Sequence, residues 1–342
     1  MDSPERILVV RLGGIGDVIC TLPALEALRA GFPNAFIGYA VEEPAYDIVH
    51  NHPALDTVHV FRRRDAMKKI KSISHFGEGV AEITRYKNSL RSERYDLALD
   101  FQRNLKGAVH CLLSGATRQV GFTPPTAREF NQLFHSEKID PAPAVHWVDK
   151  FLAMSRAVGG KMDAACYRLP DAPESREFVQ DFLQKNNISR YIAMHPGASA
   201  FDPARLWEPE RFGSVAQAME KEFGMRTVVT WGRGERERAN RVIERSHGSA
   251  LLFPETKSIL DLSELYKGAT IYIGSDTGPM HLATAVGLQS IVLFGSGNPA
   301  AYGPRSAGSV VVSKMNNTRL QPLSEISVEN VMQAVRDVFS QS

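Results

Sequence analysis

Short apolar runs alternate along this chain with longer stretches in which apolar residues recur every third or fourth position. The first run, Ile7 to Val10, is unbroken and reads as a strand buried on both faces. It leads through Leu12-Gly13-Gly14-Ile15-Gly16 to Asp17, after which Val18, Leu22, Leu25 and Leu28 fall at helical spacing. Further strands are predicted at 35–41, 58–61, 97–101 and 119–122. Between them the pattern predicts a short helix at 44–50, a long charged helix over 65–92 and a helix at 104–113. An amphipathic helix at 147–158 ends this series, and Gly159-Gly160 with the irregular 167–173 marks a boundary. A second series predicts strands at 191–194, 227–231, 270–273 and 290–294, and helices at 211–223, 235–246, 260–267, 280–286 and 328–339.

Strand and helix in strict alternation imply parallel sheets joined by crossover helices, hence an α/β, doubly wound fold. The expected division is a unit over 1–165, a second over 175–325 and a closing helix over 326–342. Two such halves are expected to face a cleft, with ligands at the C-terminal ends of the strands.

Composition narrows this picture. The 342 residues are 43% apolar and 23% charged, as in a soluble globular protein. No run approaches the ~18 apolar residues of a membrane span. A strand begins almost at once, leaving no room for a secretory signal, so a cytoplasmic location is expected. The three cysteines, Cys20, Cys111 and Cys166, have no metal-like spacing and read as reduced and packed. A net charge of +2 argues against nucleic acid as a partner. The charge is uneven, however: twelve Lys/Arg stand against six Asp/Glu between Arg62 and Lys106. Such a segment suits an anionic partner, although solvated helix faces look similar.

Candidate chemistry sits after the strands. His195-Pro196-Gly197-Ala198-Ser199 would offer backbone N–H groups to an anion, with Arg205 as a charged clamp. Asp276-Thr277-Gly278-Pro279 turns from a strand into a helix, an arrangement suited to a diphosphate, and His281 lies one turn in. Asp276 and Thr277 are equally ordinary helix caps. Gly232-Arg233-Gly234-Glu235 and Gly295-Ser296-Gly297 follow two further strands, so four loops are expected on one rim. Gly13-Gly14-x-Gly16 departs from the G-x-G-x-x-G dinucleotide fingerprint, and neither a P-loop lysine nor a metal-binding D-x-D pair is present. From its position alone, Asp17 could be a helix cap or a catalyst.

Taken together, residues 6–33, YDLALDFQRNLKGA (95–108), QVGF (119–122), HPGAS…RLWEPERF (195–212) and GSDTGPMHLATAVGLQSIVLFGSGNP (274–299) carry a resemblance. The chain resembles the lipopolysaccharide heptosyltransferases of glycosyltransferase family 9, which have two Rossmann-like domains (GT-B type). That resemblance implies an inverting, metal-independent transfer of heptose from ADP-heptose to the inner core of lipopolysaccharide, with no cofactor. It implies Asp17 as the catalytic base, Thr277 and Gly278 as the donor-phosphate turn and His281 as the histidine that follows it; with the loops read above, donor binding is expected of His195, Gly197, Ala198, Arg205, Glu235 and Asp276 as well. The acceptor, an anionic glycolipid, would meet Gly13, Gly14, Arg62, Arg63, Arg64, Lys68, Gln102 and Lys106. The basic segment would also favour the membrane surface, at the inner face of the inner membrane. At Arg205 relatives often have lysine, and their glycine turn often carries a hydroxyl residue that is missing here. Rival readings are a transferase for another nucleotide sugar or acceptor, and a silent sugar-nucleotide-binding module.

Overall fold

The fold was obtained as a computed structural model, which describes residues 3–162, 164–197, 205–316 and 319–340. The chain divides into two units, Met1–Asp171 and Ala172–Ser342. The first unit runs β1 (Arg6–Val10), α1 (Ile15–Gly31), β2 (Phe36–Glu42), α2 (Tyr46–Val49), β3 (Thr57–Phe61), α3 (Arg63–Ile70) and α4 (Phe76–Ser92). It continues through β4 (Leu97–Asp100), α5 (Leu105–Ser114), β5 (Arg118–Phe122), β6 (Glu137–Ile139) and α6 (Trp147–Ala157). Its sheet has the order β3-β2-β1-β4-β5-β6, with every pairing parallel.

The second unit runs α7 (Pro173–Lys185), β7 (Tyr191–His195), α8 (Pro209–Phe223), β8 (Arg226–Val229), α9 (Arg236–Arg245), β9 (Ala250–Leu252) and α10 (Ile259–Gly268). Then come β10 (Ile271–Ser275), α11 (Gly278–Ala285), β11 (Ser290–Phe294), α12 (Pro299–Tyr302), β12 (Val310–Ser313) and α13 (Val328–Ser340). The sheet order is β12-β11-β10-β7-β8-β9, again all parallel. Counted from its own first strand, this is the order of the first sheet. In both, the winding reverses beside the first strand: between β1 and β4, and between β7 and β10. Loops at such a reversal leave the sheet on opposite sides and open a crevice at the strand ends, where α/β folds bind ligands.

The central strands β1, β4, β7, β10 and β11 are buried almost throughout, which is why they read as unbroken apolar runs. Three edge or near-edge strands, β6, β9 and β12, escape sequence reading because they are short and only partly buried. Helix α7 was also missed: Pro173 stands at its start, where proline favours a helix, rather than in irregular chain. The long helix expected over 65–92 is broken into α3 and α4 by a turn at Ile73–His75. The two pieces fold against each other, and a Cβ on Gly79 would come within 2.9 Å of the Ile70 backbone nitrogen, so close packing there requires glycine. The closing helix α13 packs on α8 and β12 and belongs to the core of the second unit. Trp207, fully buried in that core, donates its indole N–H to the Ile326 carbonyl at 2.9 Å.

Candidate active site

In the first unit, β1 and β4 are paired so that Val10 lies beside Asp100, and the loops that follow them flank the reversal. Arg11 directly follows β1, with its side chain buried. One guanidinium nitrogen donates to the Phe101 carbonyl at 3.0 Å, and the other forms an ion pair with the Asp17 carboxylate. The Leu12 N–H donates to Gln102 Oε1 at 3.0 Å, joining the loops a second time. Gly14 is the cap residue of α1, with φ 80°, and a Cβ there would collide with the Asp17 side chain. Glycine is thus required for both its backbone conformation and the close approach of the carboxylate. Asp17 is the third residue of α1, and its carboxylate turns to Arg11, while the cap position belongs to Gly14, which supplies no side-chain bond. The plain capping reading of Asp17 is therefore replaced by an ion pair.

Beneath this turn lies a buried carboxylate that sequence reading passed over as part of a strand. Asp100 Oδ1 accepts the N–H groups of Gln102 (2.8 Å) and Arg103 (2.9 Å). Its Oδ2 accepts from Asn131 Nδ2 at 2.8 Å and lies 3.0 Å from His135 Nε2. All three side chains are buried, and a Cβ on Gly107 would strike the carboxylate. Gln102 therefore reaches the glycine turn because Asp100 holds its loop. Lys106 follows on the exposed face of α5. Arg62, Arg63, Arg64 and Lys68 are also exposed, but they follow β3, the edge strand two places from β1, and Arg62 pairs with Glu43 at 3.2 Å. The basic cluster thus flanks the sheet's edge rather than joining Asp17 at the reversal.

In the second unit the loops after β7, β8, β10 and β11 do meet. Arg205 donates to the Asp276 carbonyl at 3.1 Å, lies 3.3 Å from the Asp276 carboxylate and donates to Ser296 Oγ at 3.3 Å. His281, on α11, lies 3.8 Å from the other Asp276 oxygen. Asp276 is buried and faces Arg205 and His281; the cap of α11 is Thr277. The helix begins at Gly278, and the N–H groups of a first turn have no partner within their own helix. His195 is buried between Thr230 Oγ1 (3.0 Å) and Glu235 Oε2 (3.3 Å). Glu235 also accepts the Gly232 N–H at 2.7 Å. Burial raises the Glu235 carboxyl, but bonding and charge from His195, the Gly232 N–H and Arg238 outweigh it and leave its pKa below the usual value. A Cβ on Gly197 would fall on this carboxylate, so the glycine makes room for Glu235. Ala198 lies outside the described residues.

Residues 83–332 match the family model of glycosyltransferase family 9 (heptosyltransferase). The chain belongs to that family. It is a glycosyltransferase, built from the two Rossmann-like units of the GT-B type. Among curated relatives, lipopolysaccharide heptosyltransferase 1 of Pseudomonas aeruginosa is 29% identical over 303 residues, spanning 87% of this chain and 81% of that protein. The crystal structure of a family 9 glycosyltransferase from Veillonella parvula superposes with a TM-score of 0.83 at 23% identity, covering 100% of this chain and 99% of that one. The Escherichia coli heptosyltransferase WaaC, solved with ADP, gives a TM-score of 0.78 at 24% identity over 97% of this chain and 99% of its own.

Within this glycosyltransferase, sequence reasoning missed Arg11, Asp100 and Thr230. Arg11 carried a usable signal: an arginine directly after a buried apolar strand and before a glycine turn must find a partner close by. Asp100 had none, because its partners Asn131 and His135 are distant in sequence. No group of three or more His, Cys, Asp or Glu side chains among the described residues could hold a metal ion. No helix among them is long and apolar enough to cross a membrane.

Proposed function

We propose that the protein transfers heptose from ADP-heptose to the inner core of lipopolysaccharide, inverting the anomeric centre without a metal. The observation that carries this reading is the Asp17 carboxylate, presented on a glycine turn at a sheet reversal and oriented by a buried arginine. In the reaction, the acceptor hydroxyl gives its proton to Asp17 while its oxygen bonds to the anomeric carbon. The bond from that carbon to the diphosphate breaks, and ADP departs with the electron pair. Arg205 and the first turn of α11 neutralise the diphosphate. Asp276 would repel a phosphate; buried behind Arg205, it aims the guanidinium instead. Glu235, likewise anionic, faces hydroxyl groups of the nucleoside or sugar. WaaC, a structural relative, has been solved with ADP and with ADP-2-deoxy-2-fluoro heptose, which favours the same donor here.

The acceptor falls to the first unit. Gln102 and Lys106 border the turn, and Arg63 and Lys68 on α3 hold more distant anionic groups of a glycolipid at the cytoplasmic membrane surface. Charge reversal at Arg63 and Lys68 is expected to weaken acceptor binding and leave donor affinity alone. The deciding experiment is calorimetry across ADP-, UDP- and GDP-sugars, followed by turnover with the tightest donor. Preference for a UDP- or GDP-sugar overturns the donor assignment, and tight ADP-heptose binding with no transfer points to a silent binding module.

A further inference from the structure

Helix α5 packs on its small residues and leaves its large apolar ones outside. It buries Gly107, Ala108, His110, Cys111 and Ser114 and turns Leu105, Val109 and Leu112 outward, three large apolar residues at i, i+4 and i+7. The short 3-10 helix Asn131–Phe134, which packs beside α5, likewise leaves its large apolar residues outside. Its polar residue Asn131 is fully buried on Asp100, as is the following His135, whereas Phe130 and Leu133 are 74% and 73% exposed and Phe134 is also exposed. Polar side chains thus anchor the turn from below and leave its apolar ones standing above it. Phe130 even adopts φ 57°, a conformation that bulky residues rarely take. The face is tied down on both sides: the Arg128 N–H donates to the Arg103 carbonyl at 2.8 Å, and Glu129 accepts the Leu105 N–H at 3.1 Å. Six clustered large apolar side chains exposed on one unit need a partner.

Charge identifies that partner. From Arg103 to Lys138 the chain carries five Lys/Arg against two Asp/Glu. Both acids are engaged within the fold, Glu129 with the Leu105 N–H and Glu137 with Arg118 at 2.8 Å. Lys106, Arg128 and Lys138 remain exposed. A second copy docked about a twofold axis would set like charges against each other. A bilayer offers apolar depth beneath an anionic surface, which matches apolar residues ringed by cations. The face also begins at the right end of the strands: α5 follows β4 at the C-terminal ends where Asp17 stands. We infer that α5 and the 131–134 turn form a membrane-docking surface that dips its apolar side chains into an anionic lipid bilayer. This deepens the reading of the acceptor as a membrane glycolipid, and it explains how acyl chains stay in the bilayer while a sugar reaches Asp17.

The test is co-sedimentation of the full chain with vesicles of phosphatidylglycerol and phosphatidylethanolamine. Wild type should bind them and bind phosphatidylcholine vesicles much less. Phe130→Ser/Leu133→Ser, and separately Val109→Ser/Leu112→Ser, should each lower the partition coefficient about tenfold or more with Tm unchanged. Failure of wild type to bind, equal binding to phosphatidylcholine, or undiminished binding by both folded variants overturns the inference. So does a wild-type dimer in sedimentation velocity that the variants dissociate without any vesicle binding. The readout needs no substrate: a protein that binds vesicles but does not use ADP-heptose would refute the proposed reaction and leave the docking surface standing.

Discussion

Both units place an arginine–aspartate pair at the reversal of the same strand order, but they bury opposite partners. In the first unit the Arg11 side chain is 6% exposed and that of Asp17 is 40% exposed. In the second the Asp276 side chain is 5% exposed and that of Arg205 is 31% exposed. A buried ion is held by its partner and by further bonds, whereas the exposed ion is the one offered to a ligand. One ion-pair motif therefore serves two ends. The first unit offers a carboxylate, suited to taking a proton; the second offers a guanidinium, suited to a phosphate.

Removing the offered carboxylate should have the largest effect. Asp17→Asn should lower kcat about a thousandfold, within the range of general-base catalysis, with Tm and donor affinity unchanged. Steady-state kinetics, calorimetry and a melt check this together, and a rate near wild type would place the base elsewhere. Removing the offered cation should act on binding instead. Arg205→Ala is expected to weaken ADP binding about thirtyfold, read by calorimetry, because a charge-assisted contact to phosphate is lost. The buried partner in the first unit should matter through positioning alone. Arg11→Lys keeps the charge but cannot hold both Phe101 and Asp17, so kcat should fall about tenfold at unchanged donor affinity. An equal loss of donor affinity would show that the two units do not divide the work in this way.

The smallest effect concerns stability. His52, His59 and His110, all in the first unit, are buried, and desolvation lowers each pKa to about 4; Lys106 adds to this at His110. Their folded values lie below the ordinary 6.5, so between pH 6.5 and 4 the unfolded chain binds more protons. Stability from these groups is complete above pH 6.5 and drains away as pH falls toward 4, by about 1 kcal/mol each at pH 5.5. Hydrogen exchange between pH 7 and 5.5, after correction for the intrinsic rate, should show opening in β2, β3 and α5 of the first unit. His59→Gln should flatten that dependence. Unchanged protection in those elements would refute it.

Legibility in the sequence followed the range of the interactions. The central strands and their glycine turns were readable because an apolar run and a glycine act locally. Thr277-Gly278 at a helix start and Asp17 beside Gly14 were readable for the same reason. Edge strands β6 and β9, half-buried and three residues long, carry too little pattern. The break between α3 and α4 depends on their packing together, which no local periodicity records. The basic residues Arg62 to Lys68 were legible as a cluster, but their place beside an edge strand followed only from the strand order.

Local pattern along the chain suffices for the alternation, the parallel sheets and the list of side chains delivered to their C-terminal ends. Which of those charges faces outward depends on contacts made across the fold. Arg11 is sealed by the Phe101 carbonyl, ninety residues along the chain, and Asp276 lies behind an arginine seventy-one residues before it. Burial is set by neighbours that folding brings together, and with burial goes the choice of which ion of a pair is left to do chemistry.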